Sequence, residues 1–228
     1  DDSLPKTGEG PHLRVSGSYA LPRAGGSRYI GSMLKVMIAP VTPFQQNCSL
    51  VWCQDTMEGT AVDPGGDFDM LKQAIDEQGI KITKVLLTHG HVDHASAAGT
   101  MAEHYGVKIE GPHRDDQFLI EGLPESGRKY NFPVYKPFLP DRWLEHGETV
   151  SLGKETFEVV HCPGHTPGHV SVMIESRGEK AMITGDFMHH PCQIAHPEWS
   201  SAADSDEEQG IRTRREMFAK LAGTPTLV

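Results

Sequence analysis

Short apolar runs of strand length recur along this chain, with helix-period patterns between several of them. The predicted strands are Leu34 to Val41, Cys48 to Cys53, Thr60 to Val62, Lys84 to Thr88, Val107 to Ile109, Thr156 to His161, Val170 to Ile174 and Lys180 to Thr184. Four helices are predicted. The first begins after Asp67, the second runs from Ala95 to Tyr105, the third lies near Arg114 to Glu121, and the last ends near Leu221. The pattern therefore predicts a mixed chain of strands and helices.

Turn and capping signals set several boundaries of these elements. Asp67 is placed to cap the first helix through its side chain, and Gly79 is placed to end it. The run from Ser205 to Glu208 has the spacing of a capping box for the last helix. The proline-rich segment from Leu123 to Pro140 is predicted to be a long surface loop.

The first 32 residues differ from the rest of the chain. They are rich in Gly, Ser, Pro and Arg and show no sustained hydrophobic period. The strand pattern begins directly after Met33. We therefore expect residues 1 to 32 to be a flexible leader or a remnant of cloning, and residues 33 to 228 to form one domain.

Composition excludes several classes of function. The formal net charge of −10 argues against binding to nucleic acid or to anionic membranes, because both need basic patches. No apolar run is long enough to span a bilayer. Cys48, Cys53, Cys162 and Cys192 form no CxxC pair and are expected to be reduced thiols. These features predict a cytoplasmic protein that acts on a small molecule.

Four potential metal ligands lie within the six residues from His89 to His94. His89 and His91 alternate on an extended turn after an apolar strand, so both can reach one ion. Asp93 and His94 lie on the following bend and can face a second ion. Imidazole nitrogen and carboxylate oxygen are donors that zinc, iron and manganese accept. The spacing therefore predicts a metal site.

Two further segments share this design of a strand followed by a metal donor. The strand ending at His161 leads into His165, and the strand ending at Thr184 leads into Asp186. Binding groups at the ends of buried strands have rigid support and a side open to solvent. We therefore expect the loops near positions 90, 165 and 186 to converge.

This pattern resembles the metallo-β-lactamase superfamily of hydrolases. The resemblance covers roughly Met33 to Asp186 and is strongest for the H-x-H-x-D-H signature. The runs around Thr88 to His94 and Cys162 to His169, together with Pro43 to Ser49 and Val62 to Gly66, are most similar to the single-domain glyoxalase II-like thioesterases. The resemblance implies an α+β fold, a four-layer αββα sandwich with the metals at one edge.

The resemblance also implies a role for each site residue. His89, His91 and His165 would hold the first metal, Asp93 and His94 the second, and Asp186 would bridge the two. His169 would orient its neighbours by hydrogen bonding. The cofactor would be Zn²⁺, one or two ions per chain, with Fe or Mn as alternatives. A metal-bound hydroxide would attack a thioester, ester or lactone. Asp93 would orient the hydroxide and transfer a proton. β-Lactam hydrolysis is a candidate side activity.

After Asp186 the chain resembles the lactonase and organophosphate-hydrolase branch instead. His189, His190 and His196 lie in this part and are candidates for the substrate pocket or for an additional ligand. The histidine that closes the second metal site in that branch, and the strand before it, would lie beyond Val228. We therefore expect a C-terminally incomplete domain, without its last strand and helix, with a weak second metal site and a tendency to associate as a homodimer.

Two other functions are compatible with the same residues. One is a mononuclear iron persulfide dioxygenase, in which His89, His165 and Asp186 would supply a facial triad. The other is a non-catalytic metal-binding protein. One iron per chain with oxygen uptake would mark the first, and full metal occupancy without turnover would mark the second.

Overall fold

The computed structural model describes residues 28–30, 34–133 and 135–228. The first sheet contains six strands, which lie side by side in chain order. They are β1 (Arg28–Ile30), β2 (Leu34–Val41), β3 (Gln46–Cys53), β4 (Glu58–Val62), β5 (Lys81–Leu86) and β6 (Lys108–Glu110). Strands β1 to β4 pair antiparallel, whereas β5 is parallel to both β4 and β6.

The second sheet contains four strands in the order β10, β9, β8, β7, all antiparallel. They are β7 (Thr149–Leu152), β8 (Glu155–His161), β9 (Val170–Ser176) and β10 (Glu179–Ile183). Leu227 makes an isolated parallel bridge to Ala181 on the outer edge of β10.

Seven α-helices are found in the described part of the chain. They are α1 (Phe68–Gln78), α2 (Val92–Ala95), α3 (Ala98–Tyr105), α4 (Gln117–Glu121), α5 (Leu123–Lys129), α6 (Cys192–Ala195) and α7 (Glu207–Leu221). None of the helices that the structure describes combines the length and apolar character needed to cross a membrane.

Three buried apolar clusters fill the spaces between the layers. The first joins helices α1 and α3 to the first sheet and includes Leu50 and Leu71. The second lies between the sheets and includes Val51 and Phe157. The third joins the second sheet to α7 through Val160 and Met217. The layers therefore follow the order αββα, as the resemblance implies.

The central strands of the first sheet are buried on both faces. Leu50 and Val51 are neighbours on β3, yet they belong to the first and second clusters because successive side chains point to opposite faces. Both are fully buried. A strand enclosed on both sides is a rigid support for the loop that follows it.

Several predicted elements differ from the structure. The helix predicted from Ala95 to Tyr105 begins only at Ala98, as α3, and a separate short helix, α2, ends at Ala95. The predicted surface loop from Leu123 contains helix α5, which buries Leu123. Two strands, β1 and β7, are not predicted by the hydrophobic pattern, and β1 lies within the predicted leader.

Both predicted capping side chains need correction. Asp67 has a left-handed backbone and makes no side-chain bond to α1; its carboxylate instead accepts a 2.7 Å hydrogen bond from the Thr42 amide. The last helix is capped by Asp206, not Ser205, and the Asp206 carboxylate accepts from the Gln209 amide at 2.9 Å. The capping bond therefore lies one residue later than predicted. All four cysteines are free, as expected.

Candidate metal centre

The loop after β5 places two imidazoles at the edge of the sandwich. His89 is fully buried, and its Nδ1 lies 3.0 Å from Oγ1 of Thr88. That hydroxyl in turn donates to Oδ2 of Asp63 at 2.6 Å. Because the hydroxyl hydrogen is used by Asp63, the Nδ1–H of His89 is the donor to Thr88. This leaves Nε2 of His89 unprotonated, with its lone pair free to bind a cation.

The loop after β8 brings a third imidazole to the same place. Nε2 of His165 lies 3.0 Å from Nδ1 of His91, and the rings of His89 and His165 are 4.8 Å apart. One ligand atom from each of the three histidines lies within 4.8 Å of the others. Two nitrogens on one zinc ion are at most about 4.2 Å apart, so small side-chain shifts would close the group around an ion.

Asp186 follows β10 and lies between the two predicted halves of the site. Its Oδ2 is 3.3 Å from Nε2 of His94 and 3.7 Å from Nε2 of His165. Oδ2 of Asp93 is 3.7 Å from the same His94 nitrogen. The structure thus brings all six predicted ligands together, from three loops far apart in sequence.

His169 and His189 also contact Asp186, in different ways. The Asp186 amide donates a 2.8 Å hydrogen bond to Nε2 of His169, so this nitrogen is occupied by the protein itself. The Nε2 atom of His189 lies 3.5 Å from the Asp186 carboxylate, and its side chain is 27 % exposed. His189 therefore lies on the open side of the cluster.

His190 and His196 lie elsewhere. Nδ1 of His190 accepts a hydrogen bond from the Cys192 amide, and the ring of His196 stacks on Trp199 at 4.2 Å. Both are exposed. Neither belongs to a group of three or more metal donors in the described part of the chain.

The electrostatics of the cluster suit a cation. Burial lowers the pKa of His89 and His169 far below its usual range, and lowers the pKa of His91 to about 3. These imidazoles are therefore neutral at pH 7, which is the form that binds metal. Burial opposes the charge of Asp186, but the nearby His94 and His165 outweigh it and lower the pKa of its carboxyl.

His94 differs from the other histidines. Burial opposes its protonation, yet the carboxylates of Asp186 and Asp63 raise its pKa well above the usual value. Without a cation, protonated His94 supplies the positive charge that faces Asp186. A divalent ion would take over this role and displace the proton.

One buried nitrogen shows most directly that a metal fits the site. The buried Nε2 of His89 has no hydrogen-bond partner among the residues that the structure describes. An unpaired polar atom in such a position costs free energy, whereas a bound cation would satisfy it.

A second group of donors provides a contrast. His113, Asp115 and His161 also lie within 4.8 Å of one another. Nε2 of His113 lies 2.9 Å from Glu145, however, and Nε2 of His161 lies 2.8 Å from the Pro167 carbonyl oxygen. Both Nε2 atoms therefore already have protein partners, in contrast to the unpaired Nε2 of His89.

Three buried carboxylates support the cluster and were not identified from the sequence. Asp63 accepts from Nδ1 of His94 at 3.0 Å and from the Thr88 amide at 2.7 Å. Asp116 accepts from the Gly90 and Gly168 amides, and thus joins the two histidine loops. Asp204 lies 3.0 Å from Nδ1 of His165. Only Asp63 has a sequence signal, since it directly follows β4 at a turn.

Residues 187–204 form a segment beside the cluster that we call the 187–204 segment. Gln193 is buried at its centre, where its Oε1 accepts from the His189 and His190 amides and its Nε2 donates to the Trp199 carbonyl oxygen. Ile194 and Trp199 are more than half exposed, at 58 % and 52 %. The segment therefore has an ordered backbone and apolar side chains that face solvent.

Comparisons with known proteins agree with the fold. A family model described as "Metallo-beta-lactamase superfamily" matches residues 41–223. The hydroxyacylglutathione hydrolase GloC of Haemophilus influenzae is 43 % identical over 156 residues, which are 68 % of this chain and 72 % of that protein. The probable metallo-hydrolase YqgX of Bacillus subtilis is 29 % identical over 65 % of this chain and 69 % of its own length.

Solved structures show the same architecture. TTHA1623 in a di-iron-bound form superposes with a TM-score of 0.67 at 26 % identity, covering 84 % of this chain and 89 % of that one. The B3 metallo-beta-lactamase BLEG-1 superposes with a TM-score of 0.60 at 26 % identity, covering 68 % of this chain and 73 % of that one. On the combined strength of the family match, the four layers and the converging histidine loops, this chain belongs to the metallo-beta-lactamase superfamily.

Proposed function

We propose that this chain is a metal-dependent hydrolase that cleaves a thioester, ester or lactone bond in a small molecule. The observation that carries the proposal is the unpaired Nε2 of His89, buried among neutral imidazoles that face Asp186. Family membership supports a metallohydrolase independently of this geometry.

The donor set supports an assignment of ligands. His89, His91 and His165 would hold one ion, and Asp93 and His94 a second, with Asp186 shared between them. The 3.3 Å and 3.7 Å distances from Asp186 to His94 and His165 support the shared role. Zinc suits a set of imidazole and carboxylate ligands. Iron and manganese accept the same donors, and a structural relative is described with two iron ions.

When bound, such ions lower the pKa of water to about 7 and polarise a carbonyl group. The protein's own contribution is to orient the reactants and to move protons. Asp93 is 19 % exposed, and burial raises the pKa of its carboxyl. It can therefore accept a proton from the attacking water and return it to the leaving group. His189, on the open side of Asp186, can donate a hydrogen bond to a substrate oxygen.

Of the three bond types, we propose a hydroxyacylglutathione-type thioester as the substrate. The similarity to the Haemophilus influenzae hydroxyacylglutathione hydrolase supports this choice. The 187–204 segment also exposes the apolar side chains of Ile194 and Trp199, which is compatible with binding an acyl lactone. A β-lactam is a candidate for a side activity, since a B3 metallo-beta-lactamase shares the fold.

The test combines elemental analysis of the purified protein with a panel of four substrates. These are S-lactoylglutathione, an acyl-homoserine lactone, a β-lactam and an aryl phosphotriester. We expect at least one divalent ion per chain and hydrolysis of the thioester or the lactone. His89→Ala and His165→Ala should each abolish turnover and lower the metal content.

The matched control is His104→Gln, an exposed histidine on α3 that should keep both metal and turnover. Full metal content and turnover in the His89 and His165 variants would contradict the assignment. One iron per chain with oxygen uptake would indicate a persulfide dioxygenase instead. Full metal occupancy without turnover on any substrate would indicate a binding protein.

A further inference from the structure

Asp204 and Arg214 form an ion pair that is completely enclosed by protein. Oδ2 of Asp204 lies 3.2 Å from a guanidinium nitrogen of Arg214, and both side chains are 0 % exposed. Removing two charges from water is costly, and their mutual attraction often does not recover the cost. A buried ion pair is therefore weak evidence of a stabilising role. The other contacts of Asp204 and Arg214 indicate the role of this pair.

The other carboxylate oxygen of Asp204 contacts the metal-site histidine His165. Oδ1 lies 3.0 Å from Nδ1 of His165. Because a carboxylate can only accept, the imidazole carries its proton on Nδ1 and presents a lone pair at Nε2. That nitrogen is the one that faces His91 and Asp186. Asp204 thus selects both the tautomer and the ring orientation of His165.

Arg214 connects the same carboxylate to the 187–204 segment. Its Nε donates to the Pro197 carbonyl oxygen at 3.0 Å, and a terminal nitrogen donates to Oγ of Ser200 at 3.2 Å. A weaker bond of 3.5 Å reaches the Phe187 carbonyl oxygen. One buried guanidinium therefore contacts both the start and the later part of the 187–204 segment.

The backbone around His165 is also attached to α7 and to the residues before it. The Ser205 amide donates to the His165 carbonyl oxygen, and the Asp206 amide donates to that of Gly164, both at 2.9 Å. A Cβ on Gly164 would lie 2.3 Å from the Gly210 nitrogen, so the loop and the helix are in direct contact. A shift of α7 would therefore also move the backbone of His165.

We propose that Asp204 and Arg214 are positioning residues, which orient His165 for metal binding and hold the 187–204 segment in place beside it. This inference rests on the proposed function, because it requires His165 to be a metal ligand. It assigns to α7 a part in setting metal affinity, although no side chain of that helix is a predicted ligand.

The test measures zinc affinity by competition with a chromophoric chelator, and records the visible spectrum of the cobalt-substituted protein. Asp204→Ala should weaken zinc binding by about 10- to 100-fold, the usual effect of losing such a carboxylate partner. Asp204→Asn should lose less, because its amide oxygen can still accept from Nδ1. Asp204→Ala should also change the cobalt spectrum, since the ring of His165 is then free to reorient, and Asp204→Asn should change it less.

The matched control is Arg212→Met, because Arg212 lies on the same helix but is exposed. Its zinc affinity and cobalt spectrum should equal those of the wild type. A double variant, Asp204→Leu with Arg214→Met, separates positioning from stability. Removing both charges should restore much of the thermal stability lost in Asp204→Ala, because no unpaired charge remains buried. Zinc affinity should stay low.

Wild-type zinc affinity and an unchanged cobalt spectrum in Asp204→Ala would overturn the inference. If that variant is insoluble, the same result in the double variant, which also lacks an acceptor for Nδ1, would overturn it. Recovery of zinc affinity together with stability in the double variant would also count against positioning. Failure of the wild-type protein to bind zinc or cobalt at all would instead contradict the proposed function.

Discussion

The amide of Gly168 donates a 2.6 Å hydrogen bond to Oδ1 of Asp116. The other oxygen, Oδ2, accepts from the Gly90 amide at 2.9 Å and from the Thr166 hydroxyl at 2.7 Å. One fully buried carboxylate therefore ties together the two loops that carry His89 and His165. The separation of the two loops, and hence of their imidazoles, depends on this side chain.

Replacing Asp116 should loosen both loops at once. Asp116→Ala leaves three buried donors without an acceptor, and each unpaired donor costs about 1–3 kcal/mol. We expect a free energy of unfolding lower by about 3 kcal/mol or more, together with reduced metal content, in chemical denaturation and elemental analysis. Asp115→Asn is the control, because this neighbouring carboxylate is 58 % exposed. Equal stability of the two variants would refute the prediction.

Gly65 should tolerate no side chain, because the backbone of Asp93 lies against it. A Cβ at this position would be 1.4 Å from the Asp93 carbonyl oxygen. Gly65→Ala should therefore displace Asp93 and His94 and reduce turnover at least tenfold. Gly127→Ala is the matched control, since its Cβ would be 4.0 Å from Phe132 and it lies within α5. That variant should keep its activity and gain up to about 1 kcal/mol of stability.

His189 and His190 are adjacent in sequence but should behave differently. Nε2 of His189 lies 3.5 Å from the Asp186 carboxylate, whereas Nδ1 of His190 accepts from the Cys192 amide. We expect His189→Ala to lower kcat by about 10-fold or more, with unchanged metal content, because a group on the substrate side is lost. His190→Ala should change kcat less than about twofold. Steady-state kinetics with the accepted substrate would test this, and equal effects would contradict it.

The metal-free protein should become less stable as the pH falls. In the unfolded chain a histidine has a pKa of about 6.5. In the folded chain burial lowers the pKa of His91 to about 3, and also lowers those of His89 and His169. Below about pH 6.5 the unfolded state therefore binds more protons, so the stability present above that pH is lost on acidification.

One group acts in the opposite direction. The pKa of His94 is raised by Asp186 and Asp63 against the effect of burial, so its contribution is present at low pH and is lost as the pH rises. Burial also lowers the pKa of His189, so four histidines with lowered pKa values stand against one with a raised value, and the net effect is a loss of stability on acidification. Thermal unfolding of the chelator-treated protein between pH 8 and pH 5 would measure it. His91→Asn should flatten the slope, and a Tm that rises on acidification would show that the prediction is wrong.

The convergence of the ligand loops was predicted from a local pattern of strands followed by metal donors, whereas the αββα fold was implied by the family resemblance. His89 to His94 share one short turn, and the strands before His165 and Asp186 are continuous apolar runs. The supporting carboxylates depend on long-range contacts instead. Asp204 is 39 residues from His165, and Asp116 is 52 residues from Gly168. No periodicity or spacing indicates partners at such separations.

The errors in element boundaries have similarly physical causes. The Asp67 side chain lies near the Thr42 amide, and this tertiary contact replaces the capping bond that the local sequence favours. Helix α5 lies in a proline-rich segment, yet Pro124 stands in its first turn, where its missing N–H is no disadvantage. The break between α2 and α3 allows Asp93 and His94 to lie on a separate short turn.

The way Gln193 binds the backbone has a consequence for how new specificities could arise in this scaffold. The main chain from residue 189 to residue 199 is held by the buried side-chain amide of Gln193, which forms these hydrogen bonds with backbone atoms. Ile194 and Trp199 could therefore be exchanged while the loop keeps its course. A combinatorial library that randomises these two positions and spares Gln193 should yield folded variants with altered substrate preference.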